Sequence, residues 1–375
     1  MKIVADDKIP FLKGALEPYA EMIYLPGKQI EREILKDADA LLIRTRTKCN
    51  EKLLEGTRIK FIGTATIGFD HIDTQYCHKS KIIWTNAPGC NSSSVQQYIA
   101  AALLKVASDN NFSLKDKTLG IIGVGNVGSK VEKFARTIGM NVLLNDPPRA
   151  RLEGKNNFHT LNTVLSESDI VTLHVPLNVA GEDFTFHLFD EIKFTGMKKG
   201  SWIFNTSRGE VVDSVALKSV LNSGKLSGAI LDVWENEPAI DPDIMNKVFI
   251  ATPHIAGYST DGKANGTALV VNSLSKYFNL PITNWYPEKI PPPVAPCILI
   301  DCIGKSEEKI LNEAVMHTYS IDEDDARLRH SPSDFEKLRG NYPLRREFTS
   351  YTVDLKGAAK EVKHILKKTG FKIKG

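Results

Sequence analysis

The sequence holds five cysteines in 375 residues, and no two of them stand in C-x-x-C spacing. An odd set without that spacing argues against a zinc site and a disulfide framework and fits a reducing compartment. Charges of the two signs nearly cancel, leaving a formal +3, too little to argue for nucleic acid or a membrane surface as partner. No apolar run approaches the length of a transmembrane helix. Residues Met1 to Asp6 read as a strand, with no cleavable signal peptide. Low-complexity tracts and short-period repeats are missing too. These absences leave a globular protein for which the cytoplasm is the expected compartment. Its 42% hydrophobic and 25% charged residues are the ordinary balance for that class. The chain is long for one domain, so two or three are expected.

What is present centres on the stretch from Thr118 to Gly128. An apolar run ends at Gly123, and Gly123, Gly125 and Gly128 then fall in the spacing G-x-G-x-x-G. Val131, Phe134, Ala135 and Ile138 follow at helical spacing, and Gly139 reads as a stop. Gly123 allows a tight turn, Gly125 admits a pyrophosphate close to the backbone, and Gly128 packs helix on strand. Asn126 and Val127 belong to the same loop, and the helix N-terminus offers free N–H groups to phosphates. A second apolar run, Met140 to Leu144, leads to Asp146, where a carboxylate can accept hydrogen bonds from an adenosine ribose. This predicts a dinucleotide site and favours NAD over NADP. Arg149 keeps NADP open, because an arginine there can pair with a 2′-phosphate.

Short apolar runs alternate with helical segments on both sides of this loop. The candidate strands are Lys2–Ala5, Ala40–Ile43, Lys60–Gly63 and Lys81–Trp84, then Ile170–His174, Trp202–Asn205, Gly228–Asp232 and Phe249–Thr252. The expected fold is α/β. It comprises a doubly wound parallel-sheet Rossmann domain over 96–255 and a discontinuous flavodoxin-like α/β domain over 1–95 and 256–285. A small α+β domain over 286–375 follows a proline-rich linker. The helix after Asn91 reads as a linker between domains, and Cys297 and Cys302 read as buried strand thiols. In the first domain Arg44, Thr45 and Arg46 follow one strand, and Thr66 with Gly68 follows the next. Ligands bind outside the carboxyl ends of such strands, so this cluster suits an anionic substrate. It would equally serve as a solvated basic loop.

Three later strand ends carry Arg208, Asp232 with Glu237, and His254 with Gly257 and Tyr258. A Glu about 29 residues past an Arg, and a His about 17 further, all behind Rossmann glycines, resemble the D-2-hydroxyacid dehydrogenase family. The resemblance covers residues 1 to about 285. Further similarity lies in Gly63–Thr66, Ala87–Asn91, Asp146–Arg149, Pro253–Tyr258 and the tail Phe335–Tyr342 with Arg345–Glu347. It points to members that act on a phosphorylated hydroxy acid and carry a third domain that looks like a dimerisation module.

The resemblance implies His254 as the base for the substrate hydroxyl, Glu237 as its orienting carboxylate and Arg208 as the fork for the substrate carboxylate. It further implies NAD bound by the glycine loop, Asp146, Val175, Asp232 and Gly257, and substrate held by Thr45, Thr66 and Tyr258. Position 175 departs from the pattern: the family often has a hydroxyl there, and valine offers only its backbone. A phosphate favours arginine forks. Arg44 and Arg46 suit it from the first domain, and Arg346 suits it from the partner subunit of a homodimer. No metal is implied. The alternatives are a dehydrogenase for another hydroxy acid, such as 3-phosphoglycerate, and a non-enzymatic NAD(H)-sensing corepressor, since fold alone does not separate these.

Overall fold

A computed structural model describes residues 1–374. They form two compact units, Met1–Asn91 with Ser259–Pro291, and Ser92–Tyr258 with residues 292–374. Where the sequence places the joins near 95, 255 and 285, the structure places them at 91, 258 and 291.

The first unit is built on five parallel strands, β1 (Lys2–Asp6), β2 (Glu21–Leu25), β3 (Ala40–Ile43), β4 (Phe61–Thr64) and β5 (Ile83–Thr85). Their order is β2-β1-β3-β4-β5, the flavodoxin-like arrangement. β3 and β4 are buried at every residue, as expected of parallel strands covered on both faces. β2 is a half-buried edge strand. Helix Thr260–Phe278 covers the sheet, with Val270, Val271 and Leu274 in one cluster with Ile3, Leu42 and Phe61. A Cβ at Gly63 would lie 2.6 Å from Val270, so the glycine in β4 is what admits the helix. The proline-rich segment does not run free at its start. The Asn272 side chain bonds both the N–H and the carbonyl of Trp285, and Ser275 Oγ donates to the carbonyl of Ile282.

The second unit holds six parallel strands: β6 (Thr118–Ile122), β7 (Asn141–Asn145), β8 (Ile170–Leu173), β9 (Ser201–Asn205), β10 (Leu226–Leu231) and β11 (Ile250–Ala251). Their order is β7-β6-β8-β9-β10-β11. The chain switches direction between β6 and β8, and the glycine loop leaves β6 at that switch point. Helix Ser92–Asp109 is buried along most of its length. It packs as a core element of this unit, beginning at the join between the two units where the sequence reads it as a linker.

The C-terminal module adds a parallel three-stranded sheet, β12 (Cys297–Asp301), β13 (Thr352–Lys356) and β14 (Lys372–Ile373), in that order. Its Ile298, Ile300, Leu311, Val353 and Leu366 share one cluster with Ile99, Leu103 and Phe134. Each such side chain gains about 1.5–3 kcal/mol on burial, so the module and the Rossmann core are stabilised as one body. β12 alternates exposed and buried residues. Ile298 and Ile300 therefore point inward, and Cys297 is exposed, contrary to the expectation of a buried thiol, while Cys302 is buried. Among the described residues all five cysteines are free and no helix is long and apolar enough to cross a membrane.

Candidate active site

The residues singled out in the second unit converge on loops at the carboxyl ends of its strands. The loop after β11 carries His254 in a left-handed backbone conformation, φ 56°. A non-glycine residue held there costs about 1–3 kcal/mol unless its surroundings fix it. Here they do. The His254 N–H donates to the carbonyls of Asp232 (2.7 Å) and Thr252 (3.1 Å). The Asp232 carboxylate accepts from Ile255 N (2.8 Å), Ala256 N (2.9 Å) and the Thr252 hydroxyl (2.7 Å). Tyr98, on the buried helix, places its hydroxyl 2.8 Å from that of Thr252.

Asp232 is 1% exposed, and burial pushes its carboxyl up despite the charge of His254 and the donors it accepts from. Its observed role is to staple the histidine loop. Lining the cofactor would fall to whatever hydrogen-bonding capacity remains.

Glu237 reaches His254 from the loop after β10. Its Oε2 lies 2.7 Å from His254 Nδ1, and its Oε1 accepts from Trp234 N at 2.9 Å. Burial alone would raise this carboxyl. The hydrogen bond and charge of His254, the Trp234 N–H and the charge of Arg339 outweigh it and hold Glu237 below the usual carboxylate range. A carboxylate on Nδ1 fixes the tautomer that leaves Nε2 as the basic nitrogen.

Arg208 follows β9 and is half-buried, with Nη1 donating to the Ser207 carbonyl at 2.8 Å. Its neighbour Gly209 lies so close to the Trp234–Glu235 backbone that a Cβ would fall 2.0 Å from the Trp234 carbonyl. This contact seats the arginine loop against the glutamate loop. His174, which the sequence reading did not single out, stands between the hydroxyls of Thr172 (3.0 Å) and Thr206 (3.3 Å). Burial pushes its imidazole down to about 3, so it is a neutral bridge to the loop that carries Arg208.

The glycine loop divides its labour. Gly123 has φ 86°, and a Cβ there would meet the His174 carbonyl at 2.7 Å and Val175 Cγ1 at 2.9 Å. A Cβ on Gly128 would strike the Gly123 carbonyl, whereas one on Gly125 would meet nothing within 4 Å. The open backbone is the one a pyrophosphate would approach, beside exposed Asn126 and half-buried Val127 at the start of helix Gly128–Thr137.

Asp146 ties its own loop together. Its Oδ2 accepts from Val124 N (2.8 Å) and its Oδ1 from Arg149 N (3.0 Å), which caps helix Pro147–Glu153. Arg149 gives both prongs of its fork to Glu153, at 2.7 Å each, and a further bond to the Val124 carbonyl. Its guanidinium is thereby engaged by Glu153 and the Val124 carbonyl.

Gly257 and Tyr258 are half-buried, and Tyr258 meets Tyr342 edge to face at 5.9 Å. Arg346 is half-buried, and its carbonyl accepts from Gln97. In the first unit Arg44, Thr45 and Arg46 stand at the end of β3, and Arg44 donates to the Lys8 carbonyl. Thr66 donates to the Gly68 carbonyl at 2.9 Å and lies 2.6 Å from the Thr64 hydroxyl. Among the described residues no cluster of His, Cys, Asp and Glu has the makings of a metal site.

A family model described as D-isomer specific 2-hydroxyacid dehydrogenase, NAD binding domain, matches residues 91–256, and a domain of unknown function matches 293–370. The chain is 51% identical to an erythronate-4-phosphate dehydrogenase of Bacteroides thetaiotaomicron, over 94% of this chain and 99% of that protein. Among solved structures it is similar to a D-lactate dehydrogenase of Aquifex aeolicus complexed with NAD and lactic acid. That match has 30% identity and TM-score 0.61, over 74% of this chain and 96% of that one. It is also similar to an NAD-bound 3-phosphoglycerate dehydrogenase of Entamoeba histolytica, with 26% identity and TM-score 0.63, over 77% and 99%. The resemblance carried by the strand-end motifs is borne out: the chain belongs to the erythronate-4-phosphate dehydrogenase family, within the D-isomer specific 2-hydroxyacid dehydrogenases.

Proposed function

We propose that this chain oxidises 4-phospho-D-erythronate to (R)-3-hydroxy-2-oxo-4-phosphooxybutanoate, in pyridoxal 5′-phosphate biosynthesis in the cytoplasm. The observation that carries the chemistry is the 2.7 Å contact between His254 Nδ1 and Glu237 on a loop stapled by Asp232. Bound NAD supplies the acceptor for the hydride that leaves C2. The chain's own groups do the rest. His254 Nε2 takes the proton of the C2 hydroxyl. Glu237 stays ionised, holds the ring and stabilises the imidazolium that forms. Arg208 pairs with the substrate carboxylate and draws charge toward the forming keto oxygen. The alcohol thus loses one proton to His254 and one hydride to the nicotinamide, and the 2-keto acid remains.

For the cofactor we assign the loop of Gly123, Gly125, Asn126, Val127 and Gly128, with Asp146, Val175, Asp232 and Gly257. For the substrate we assign Arg44, Thr45, Arg46, Thr66 and Tyr258, and Arg346 for the phosphate from a second subunit. The homodimer reading is supported by the outward face of β12, where Leu299 is 78% exposed and Ile303 just beyond it 70%. Exposed apolar side chains at an edge strand suit a protein partner. Nicotinamide fluorescence after adding 4-phosphoerythronate or 3-phosphoglycerate, in parallel, to enzyme with NAD tests the substrate. A signal with 4-phosphoerythronate is expected. Turnover of 3-phosphoglycerate alone would assign the chain to that acid, and no turnover of any hydroxy acid would favour an NAD(H)-sensing protein.

A further inference from the structure

The module of unknown function buries an arginine beside the histidine loop. Arg345 is 4% exposed, and a buried guanidinium is costly unless its surroundings repay it. Its Nη2 donates to the carbonyl of Ala256, two residues from His254. Its cationic face lies 4.5 Å from the Tyr319 ring and 5.7 Å from the Tyr342 ring, within cation–π range. Tyr342 in turn donates to Asp324 at 2.6 Å. Ala256 is therefore gripped from both sides: Asp232 holds its N–H and Arg345 its carbonyl.

A second arginine of the same segment follows the same pattern. Arg339 stands 5.8 Å from the Tyr258 ring, and Tyr258 packs on Tyr342. The charge of Arg339 is also among those that keep Glu237 ionised. Helix Phe335–Gly340 and the turn after it thus touch the histidine loop at Ala256 and Tyr258 and act electrostatically on the histidine's carboxylate.

We propose that Arg345 and Arg339 set the catalytic geometry from within the same chain. Arg345 is a positioning residue that fixes the loop of His254 through the Ala256 carbonyl. Arg339 is a positioning residue that orders Tyr258, a residue of the same loop. A structural role alone would link the module to the Rossmann core through its apolar contacts, without directing two cations at one loop. The proposal rests on reading His254 as the acid–base group.

The test uses full-length Arg345→Met, Arg345→Lys, Arg339→Gln and His254→Ala, with circular dichroism, NAD binding by quenching of tryptophan fluorescence, and kcat and KM against pH. Arg345→Met should keep its fold and its NAD affinity within about threefold while kcat falls at least about tenfold, the scale of a displaced catalytic group. Arg345→Lys, which keeps a donor for Ala256, should recover most of that loss. Arg339→Gln removes the cation over the Tyr258 ring. It should raise KM for 4-phosphoerythronate by about threefold with NAD affinity kept, the scale of a lost cation–π contact. If Arg345→Met is folded with wild-type kcat, or loses NAD affinity in step with kcat, the positioning role is wrong. If Arg345→Met does not fold, Arg339→Gln decides, and an unchanged KM for 4-phosphoerythronate overturns the proposal. Should His254→Ala itself turn over normally, the reading of the site fails, whatever the arginines do.

Discussion

Asp232 and His254 are joined backbone to backbone, the His254 N–H donating to the Asp232 carbonyl at 2.7 Å. The Asp232 side chain then holds the two residues that follow the histidine. One buried acid thus fixes a left-handed backbone and the direction of the imidazole. Asp232→Asn turns one acceptor into a donor that faces the Ala256 N–H. It should cost about 1–3 kcal/mol of stability and lower kcat roughly 10- to 100-fold through misplacement of His254. Thermal unfolding and steady-state kinetics check both. An unchanged kcat would mean that the loop holds its shape without the staple.

Glu237→Gln keeps the shape of the pair and removes its charge. Turnover should fall roughly 10- to 1000-fold. Because the folded carboxyl titrates below its ordinary value, the wild type gains stability from it above the unfolded pKa of about 4.3. That gain is lost as the pH falls through the lower folded value. Urea unfolding at about pH 6 and about pH 3 should therefore show a larger drop for wild type than for Glu237→Gln. Equal drops would contradict the assigned ionisation.

Asp146→Ala removes the carboxylate assigned above to the ribose, together with the cap of helix Pro147–Glu153 and the tie to Val124. It should weaken NAD, lessen discrimination against NADP and lower stability by about 1 kcal/mol, the scale of a lost cap. The ratio of kcat/KM for the two cofactors is the readout, and an unchanged ratio would remove Asp146 from the cofactor site.

Much of this was legible because the chemistry sits at strand ends and the strands are parallel. β3 is an uninterrupted apolar run, and the strands of the second sheet are mostly apolar runs bounded by polar or turn residues. β2 is absent from the expected strands although Met22 to Leu25 is apolar, because a run of four residues on a half-buried edge strand is not assigned by periodicity alone. Helix Ile321–His330 was hidden by its composition, since only Ile321, Asp324 and Leu328 face inward. Arg345 stands in the sequence only as part of the tail motif Arg345–Glu347. Its burial depends on Tyr319 and on the Ala256 carbonyl, far away in sequence, and no local pattern announces that.

Arg346 carries the proposal that reaches across subunits. Arg346→Ala should raise KM for 4-phosphoerythronate much more than for unphosphorylated erythronate, with the dimer intact by light scattering. Mixing Arg346→Ala with Arg208→Ala subunits should restore part of the activity, because one of the two mixed sites then carries both wild-type residues. A mixture that stays dead while heterodimers form would place the phosphate site within one chain.

The central claim is that His254, oriented by Glu237, takes the hydroxyl proton as the hydride leaves. The most direct measurement is the rate of nicotinamide reduction by 4-phosphoerythronate in His254→Ala, with NAD affinity measured on the same protein. The account predicts NAD binding close to wild type and a rate lower by at least about 100-fold, within the range of a lost general base. Reduction at the wild-type rate by a folded, NAD-binding His254→Ala protein would contradict it.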